Sequence, residues 1–407
     1  MNKKRQSITL WFLAGTIVSL GICALLLIRE NQKFSYLYNI LEKYSSIEKV
    51  DQILQREYFD KQLLQSGQQE MIKEAMKAYI NGIGDPYTVY LDAESYSGLQ
   101  QELEWEGHIE GIWAVVSKKD YYIQVEEVLK GSPAFEAWIL PLDRIILIWT
   151  GETKGLTTSE AVSKIRWEKG TKINLFIERT TNSGSNEYLE KEVTRDIINI
   201  PSVREKVINY SWHKLWHLEV SIFWDQTNKL MNQAVKEFLN QKVEGIILDL
   251  RGNWWGLLES AVELAGHFIP KGEDIVISKY RNYKDTTYKS EGFAELKDYP
   301  LVILVNGLSA SASEILTLAL KEQIWSTIVW TKSFGKGSIQ TLQELDNQDS
   351  LKYTVGKRFG PKGTSIDKEG IKPDYEIELN MTGYLMNRVD NQLQKAQDIL
   401  VQKIKKQ

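Results

Sequence analysis

Residues 300–324 read PLVILVNGLSASASEILTLALKEQI. Leu301 to Val305 form an unbroken apolar run, too short for a helix and suited to a strand buried on both faces. Asn306, Gly307 and a series of small residues break that run, and SEILTLALKEQ resumes with helical spacing. The same order occurs upstream. Gly245 to Arg251 (GIILDLR) is strand-like, a Gly/Asn loop follows, and LLESAVELAGHFI reads as a helix. Two strand–loop–helix units predict an α/β core with function on the loops at the strand ends.

Outward from this core, residues 98–185 change character. GIWAVV, YYIQVEEV, RIILIW and KINLFIERT are short β-type runs, with one helical stretch, SEAVSKIR, before the last. Short strands with a single helix describe a compact, partly open barrel. Residues 31–97 are charged and helical in pattern, as in QQEMIKEAMKAYING. After Asp390, NQLQKAQDILVQKIKKQ is an amphipathic terminal helix, which reads as docked or frayed.

At the other end of the chain, Ile8 to Ile28 carries no charge over twenty-one residues. At about 1.5 Å per residue that matches a hydrocarbon core of about 30 Å. Lys3, Lys4 and Arg5 favour an inside N-terminus, so the expectation is a single-pass anchor with the remainder extracytoplasmic. The competing reading is a cleaved signal or a lipoprotein. No small-x-small cleavage pattern precedes Arg29, and the residue before Cys23 is Ile22 rather than a small one.

Composition removes whole classes. Fifty basic against fifty-four acidic residues give no support to nucleic-acid binding. One cysteine excludes an internal disulfide framework and cysteine-cluster metal sites, and four histidines without HExxH argue against a zinc hydrolase. No cofactor is expected.

The serine loop is the first candidate for chemistry. Ser309, Ser311 and Ser313 sit between a buried strand and a helix, where free N–H groups stabilise negative charge. Serine is also simply a good helix cap, and the residues alone do not choose among the three. The second candidate is SFGKGSIQ, residues 333–340. Gly337 follows Lys336 where a phosphate-binding loop needs Ser or Thr. A lysine between glycines is usually a loop charge, but buried beside a serine it would lose its proton readily and act as a base. No histidine belongs with this serine by position, so a Ser–Lys pair is favoured over Ser–His–Asp. Gln340 can orient the amine or be a surface amide.

The ordered set GIWAVV, GSPAFEAWI, LDLRGNWWGLL, VNGLSASASEI and SFGKGSIQ resembles the C-terminal processing (tail-specific) serine peptidases, over about residues 35–400. The resemblance implies an α/β peptidase core of ClpP/crotonase-like units at 186–400, interrupted by a PDZ β-barrel domain at 98–185. A helical segment at 31–97 and an anchor at 1–30 would precede them. It implies Ser311 as nucleophile, Lys336 as general base and Gln340 as its orienter. The oxyanion donors would be backbone N–H groups of Ala312 and the Trp255-Gly256 turn. Gly111-Ile112-Trp113-Ala114 would take the carboxylate of an apolar substrate tail by strand addition. Glu322 stands where some members have aspartate, and no role is assigned to it. The implied activity is a membrane-anchored, extracytoplasmic serine endopeptidase acting near protein C-termini. The alternative is an inactive, membrane-tethered PDZ scaffold that binds tails. The helical segment offers either a homodimer contact or plain packing.

The chain departs from that family at tryptophan. Thirteen are present, more than the eleven Phe or eight Pro. Trp113, Trp138, Trp167, Trp216, Trp254, Trp255 and Trp330 occupy positions where the family pattern favours or tolerates glycine. Such positions serve tight turns, φ > 0 or close backbone approach. Either this is a tryptophan-laden, inactive variant, or these are UGA codons that the source cell reads as glycine. The second is the expectation, because independent drift would not keep selecting one bulky residue. Strain at those turns should follow.

Overall fold

The computed structural model describes residues 42–406, apart from 104–108, 129–131, 157, 167, 182–183, 199–200, 255, 346–347 and 381–388. The expected anchor at 8–28 lies outside the described residues. Within them, no helix is long and apolar enough to cross a membrane.

Two units divide the chain at residue 83. The first contains α1 (42–57) and α2 (Lys61–Asn81). Asp60 caps α2 by accepting from the Leu63 N–H at 3.0 Å. Tyr44 on α1 and Tyr79 on α2 meet with ring centroids 6.2 Å apart.

The second unit starts with β1 (Val89–Leu91) and α3 (Ala93–Leu103), then enters a small β-rich region. There β2 (Ile109–Gly111), β3 (Ala114–Lys119), β4 (Tyr122–Val128), α4 (Pro133–Glu136), β5 (Arg144–Ile148), β6 (Gly151–Glu152), α5 (Thr158–Ile165), β7 (Lys172–Thr180), β8 (Asn186–Thr194) and β9 (Asp196–Ile198) follow in order. Strands β3, β4, β5, β7 and β8 form one antiparallel sheet with β6 on β5, while β2 pairs with β9. Alternation puts Ile123, Val125, Ile145, Ile173, Leu175 and Ile177 into one core with Ala161 of α5. The sequence boundary at 185 falls short. Strand β8 pairs along its whole length with β7, so this region runs on to residue 198.

The remaining elements are β10 (Val203–Tyr210), β11 (His213–Val220), α6 (Asp225–Asn240), β12 (Gly245–Asp249), α7 (Leu258–Ala265), β13 (Asp274–Tyr280), β14 (Thr286–Lys289), β15 (Leu301–Val305), α8 (Ala312–Ile324), β16 (Thr327–Trp330), β17 (Ser338–Glu344), β18 (Ser350–Phe359), β19 (Tyr375–Glu376) and α9 (Asn391–Ile404). The central sheet has the order β10-β11-β12-β15-β16-β19, parallel from β11 onward. The two apolar runs singled out in the sequence are its adjacent middle strands, β12 and β15, and both are buried at every residue.

Period-two alternation explains the two layers. Ile246, Leu248 and Ile303 pack with residues of α6, α7 and α8 on one face. Ile247, Val302 and Leu304 pack with Ala396 and Leu400 of α9 on the other. Burial of each such side chain stabilises the fold by about 1.5–3 kcal/mol. The terminal stretch is therefore a docked helix and a full layer of the core.

A second sheet orders β1-β18-β13-β14, with β17 also on β18. It brings residues 89–91 beside 350–352, across the entire intervening chain.

Candidate active site

The loops after β12 and β15 leave the same edge of the parallel sheet, where adjacent strand ends splay apart. They are laced together. Gly252 N–H donates to Asn306 Oδ1 at 3.0 Å, and Ala310 N–H donates to the Asn253 carbonyl at 3.0 Å. This lacing separates the three serines that sequence could not rank. Ser309 is fully buried and its Oγ donates to the Leu250 carbonyl at 2.8 Å. Ser313 is fully buried and its Oγ donates to the Asn253 carbonyl at 2.7 Å. Both hydroxyls are spent on holding the loops. Ser311 is partly exposed, and among the described residues its Oγ donates to no carbonyl.

Ser311 has φ 56° and ψ −109°, a conformation that L-residues rarely adopt. What holds it there is Glu314, one turn into α8. The Glu314 carboxylate is buried and accepts from the Ser311 N–H at 2.9 Å. It also accepts from the Gly335 N–H at 2.7 Å, the Lys336 N–H at 2.9 Å and the Ser333 hydroxyl at 2.6 Å. One side chain thus fixes the serine turn and the lysine loop to each other. Burial pushes its pKa up, and the bonds from Ser333, Lys336, Gly335 and Ser311 oppose that rise. All four contacts are donors, which the ionised form satisfies and a protonated one would not.

Lys336 is mostly withdrawn from water, and its ammonium lies 5.5 Å from the centroid of the Tyr87 ring. Burial lowers its pKa, and the neighbouring cations Lys352 and Arg358 lower it further, against the pull of Glu314. Arg358 has itself a buried Nε with no partner among the described residues. Its pKa is lowered by the same burial. Lys336 Nζ makes no hydrogen bond or ion pair among the described residues. Gln340, expected to orient it, instead donates to Ser338 Oγ at 2.7 Å and to Thr354 Oγ1 at 3.4 Å. The Thr354 hydroxyl in turn donates to Asp85 at 2.6 Å, a link from the beginning of this unit.

Ala312 opens α8, so its N–H has no partner within the helix. Trp255 lies outside the described residues. Gly256 beside it has φ 154°, and a Cβ there would sit 2.4 Å from the Phe223 Cβ, so only glycine fits. Below the loop, Arg251 grips Asp249 through two bonds of 2.7 and 2.6 Å and reaches Asp390, the cap of α9, at 2.9 Å. His217 adds a contact to Asp249 at 3.0 Å. Burial alone would raise the Asp249 pKa, but Arg251 and His217 win and hold it far below the usual carboxylate range.

In the β-rich region, Gly111-Ile112-Trp113-Ala114 runs from the end of β2 into β3. Ile112 is buried in the local core, and its carbonyl accepts from the Ala134 N–H at the start of α4. Trp113 has φ 62°. Glu322 accepts from the Lys362 N–H at 2.7 Å, outside the serine–lysine cluster.

Glu314 escaped the sequence reading although a signal existed. Ser311-x-x-Glu314 is the spacing of a capping box, in which the third residue reaches back to the cap N–H. Tyr87 and Arg358 carried no local signal, because strand pairing brings them in from distant sequence.

Residues 214–377 match peptidase family S41. The carboxy-terminal processing protease CtpA of Bacillus subtilis (strain 168) is 32% identical over 337 residues, covering 83% of this chain and 69% of that protein. A probable CtpA-like serine protease of Staphylococcus aureus (strain MRSA252) is 33% identical over 384 residues, covering 93% and 74%. Among solved structures, the photosystem II D1 C-terminal processing protease superposes with a TM-score of 0.64 at 23% identity, over 82% of this chain and 86% of that one. That last likeness concerns the fold.

Proposed function

The chain belongs to peptidase family S41, and from that premise we propose a serine peptidase that cleaves protein substrates near their C-termini with Ser311 and Lys336. The observation that carries this reading is the Glu314 bridge, which pins the backbones of Ser311 and Lys336 to one carboxylate. A lysine base must be neutral to work, and burial among cations favours that form.

In the reaction, Ser311 Oγ attacks the scissile carbonyl carbon while its proton passes to Lys336 Nζ. The negative oxygen is received by N–H groups of Ala312 and of the Trp255-Gly256 turn. The ammonium then protonates the departing amine nitrogen, leaving an ester on Ser311. Lys336 next deprotonates a water that attacks the ester, and the proton returns to Ser311 Oγ as the acid product leaves. In this structure the Lys336 ammonium lies over the Tyr87 ring, so in this reading the lysine leaves that place to meet Ser311 Oγ.

The β-rich region at 109–198 acts, in this reading, as a PDZ domain whose 111–114 loop takes apolar substrate tails. Residues 8–28 anchor the chain in a membrane with the peptidase outside the cytoplasm. The helices before residue 84 offer a homodimer contact.

The test is cleavage of a C-terminally tagged substrate by Ser311→Ala and Lys336→Ala, alongside labelling by a serine-directed fluorophosphonate. Each variant should lose about 10⁴-fold in kcat/KM while keeping its fold. Retained cleavage by either overturns the pair.

A further inference from the structure

Nine of the thirteen tryptophans lie among the described residues, and six of those nine have φ in the left-handed half of conformational space. They are Trp113 (62°), Trp138 (57°), Trp149 (57°), Trp212 (70°), Trp325 (55°) and Trp330 (122°). For residues other than glycine such angles occur a few per cent of the time, chiefly in Asn and Asp, whose short side chains bond locally. An indole offers no such compensation.

Five of the six occupy backbone slots that favour glycine. Trp138 follows α4, where its N–H donates to the Phe135 carbonyl and the Ile139 N–H to the Ala134 carbonyl, both at 3.0 Å. That bond pair is the Schellman closure, whose left-handed residue is usually glycine. Trp325 ends α8 with φ 55° and ψ 39°, the left-handed stop of the same kind. Ser211 and Trp212 are the two residues between β10 and β11, with φ 49° and 70°. Two positive angles make a type I′ turn, which calls for glycine second. Trp149 is first of the two residues between β5 and β6, the glycine slot of a type II′ turn. Trp330 ends β16 at an angle that only glycine adopts freely.

Nor does packing repay the strain at the turns. Trp138 is 68% exposed, Trp325 77% and Trp212 103%. Trp330 differs, since its ring lies 4.4 Å from the Arg251 guanidinium. Trp216 also differs. Its backbone is a regular strand residue opposite Val207, and its indole packs on Phe238 and donates to Glu205 at 2.7 Å. Geometry therefore removes Trp216 from the set that the family pattern marked, and it adds Trp149, Trp212 and Trp325. Trp254 has no positive φ, and Trp167 and Trp255 lie outside the described residues.

We propose that the protein made in its own cells carries glycine, read from UGA, at positions 113, 138, 149, 212, 325 and 330. Loss of the six side chains removes backbone strain at six positions, and at 330 it also removes the ring that lies against Arg251. In the tail-binding reading, it also turns 111–114 into Gly-Ile-Gly-Ala, with backbone N–H groups open to a carboxylate. That last clause rests on the proposed function, whereas the codon assignment does not.

Two measurements test it. The coding DNA and the peptide masses of protein purified from the source cells should show UGA and glycine at all six positions. UGG codons with intact tryptophan peptides overturn the proposal. Second, two full-length chains are made in a host that reads all codons conventionally, one with tryptophan and one with glycine at the six sites. The glycine chain should melt higher by about 10 °C or more. Equal or lower melting overturns the claim. A glycine chain that melts higher but cleaves no tagged substrate would leave the codon assignment standing and count against the peptidase reading alone.

Discussion

Helix α8 is flanked at each end by a residue of positive φ. Ser311 enters it with φ 56° and Trp325 leaves it with φ 55°. At the entry, strain is over-determined, because the Glu314 carboxylate holds the serine N–H and three further donors on the lysine loop. At the exit the residue is an exposed indole, and its main electrostatic neighbour is the Lys362 ammonium at 4.7 Å from the ring. The same dihedral thus means opposite things. Strain held by a network is a device, and strain on an unsupported bulky side chain signals that another residue belongs there.

Glycine placed at each end of α8 should have contrasting effects on activity. Ser311→Gly should relax the turn and raise the melting temperature, yet lower kcat/KM by about 10⁴-fold or more. If that variant still turns over substrate, Ser311 is strained for no catalytic reason. Next in size, Glu314→Gln should keep the volume but replace a charged acceptor of four bonds by a neutral one. About 10²-fold in kcat/KM should be lost with KM little changed, because both loops shift together. Active-site titration of the variant would separate misplacement from unfolding. Trp325→Gly should leave kcat/KM untouched and stabilise by about 1–3 kcal/mol in urea unfolding. A destabilised variant would show that the indole contributes packing after all.

The smallest effect concerns protons. In the proposed mechanism Lys336 acts as the neutral amine, so kcat/KM should rise as pH climbs through its lowered pKa. Arg358→Met removes a neighbouring positive charge and so raises that pKa. The rising limb of the pH profile should then move to higher pH, with the plateau preserved. An unmoved limb would mean that another group sets it.

Local signals carried much of this architecture. β12 and β15 were legible because a strand buried on both faces must be apolar at consecutive positions. The strain expected at Trp113, Trp138 and Trp330 is present, since a glycine requirement is a property of one residue's backbone. Five motifs in order single out Ser311 and Lys336 as candidates, and the lacing of Ser309 and Ser313 gives physical grounds for preferring the middle serine. Gln340 illustrates the limit. Its spacing from Lys336 placed it nearby, but its amide bonds Ser338 and Thr354, the latter supplied by a neighbouring strand. Arg358 and Tyr87 reach the lysine by the same long-range pairing, which no window of sequence reveals.

That pairing has a consequence for the order in which the protein can come alive. Among the described residues, strand β1 pairs with β18, Val89 against Lys352 and Leu91 against Ser350, and Tyr90 bonds Asp349. Tyr87, which underlies the lysine, leads into that strand. During synthesis the described strands of the β-rich region at 109–198 are complete early, since their pairings are internal to it. The lysine's surroundings, by contrast, wait for residues near 350, and one layer of the central sheet waits for α9, Asn391–Ile404. The setting that lowers the Lys336 pKa is therefore among the later parts of this sheet to form, because Lys352 and Arg358 both lie on β18.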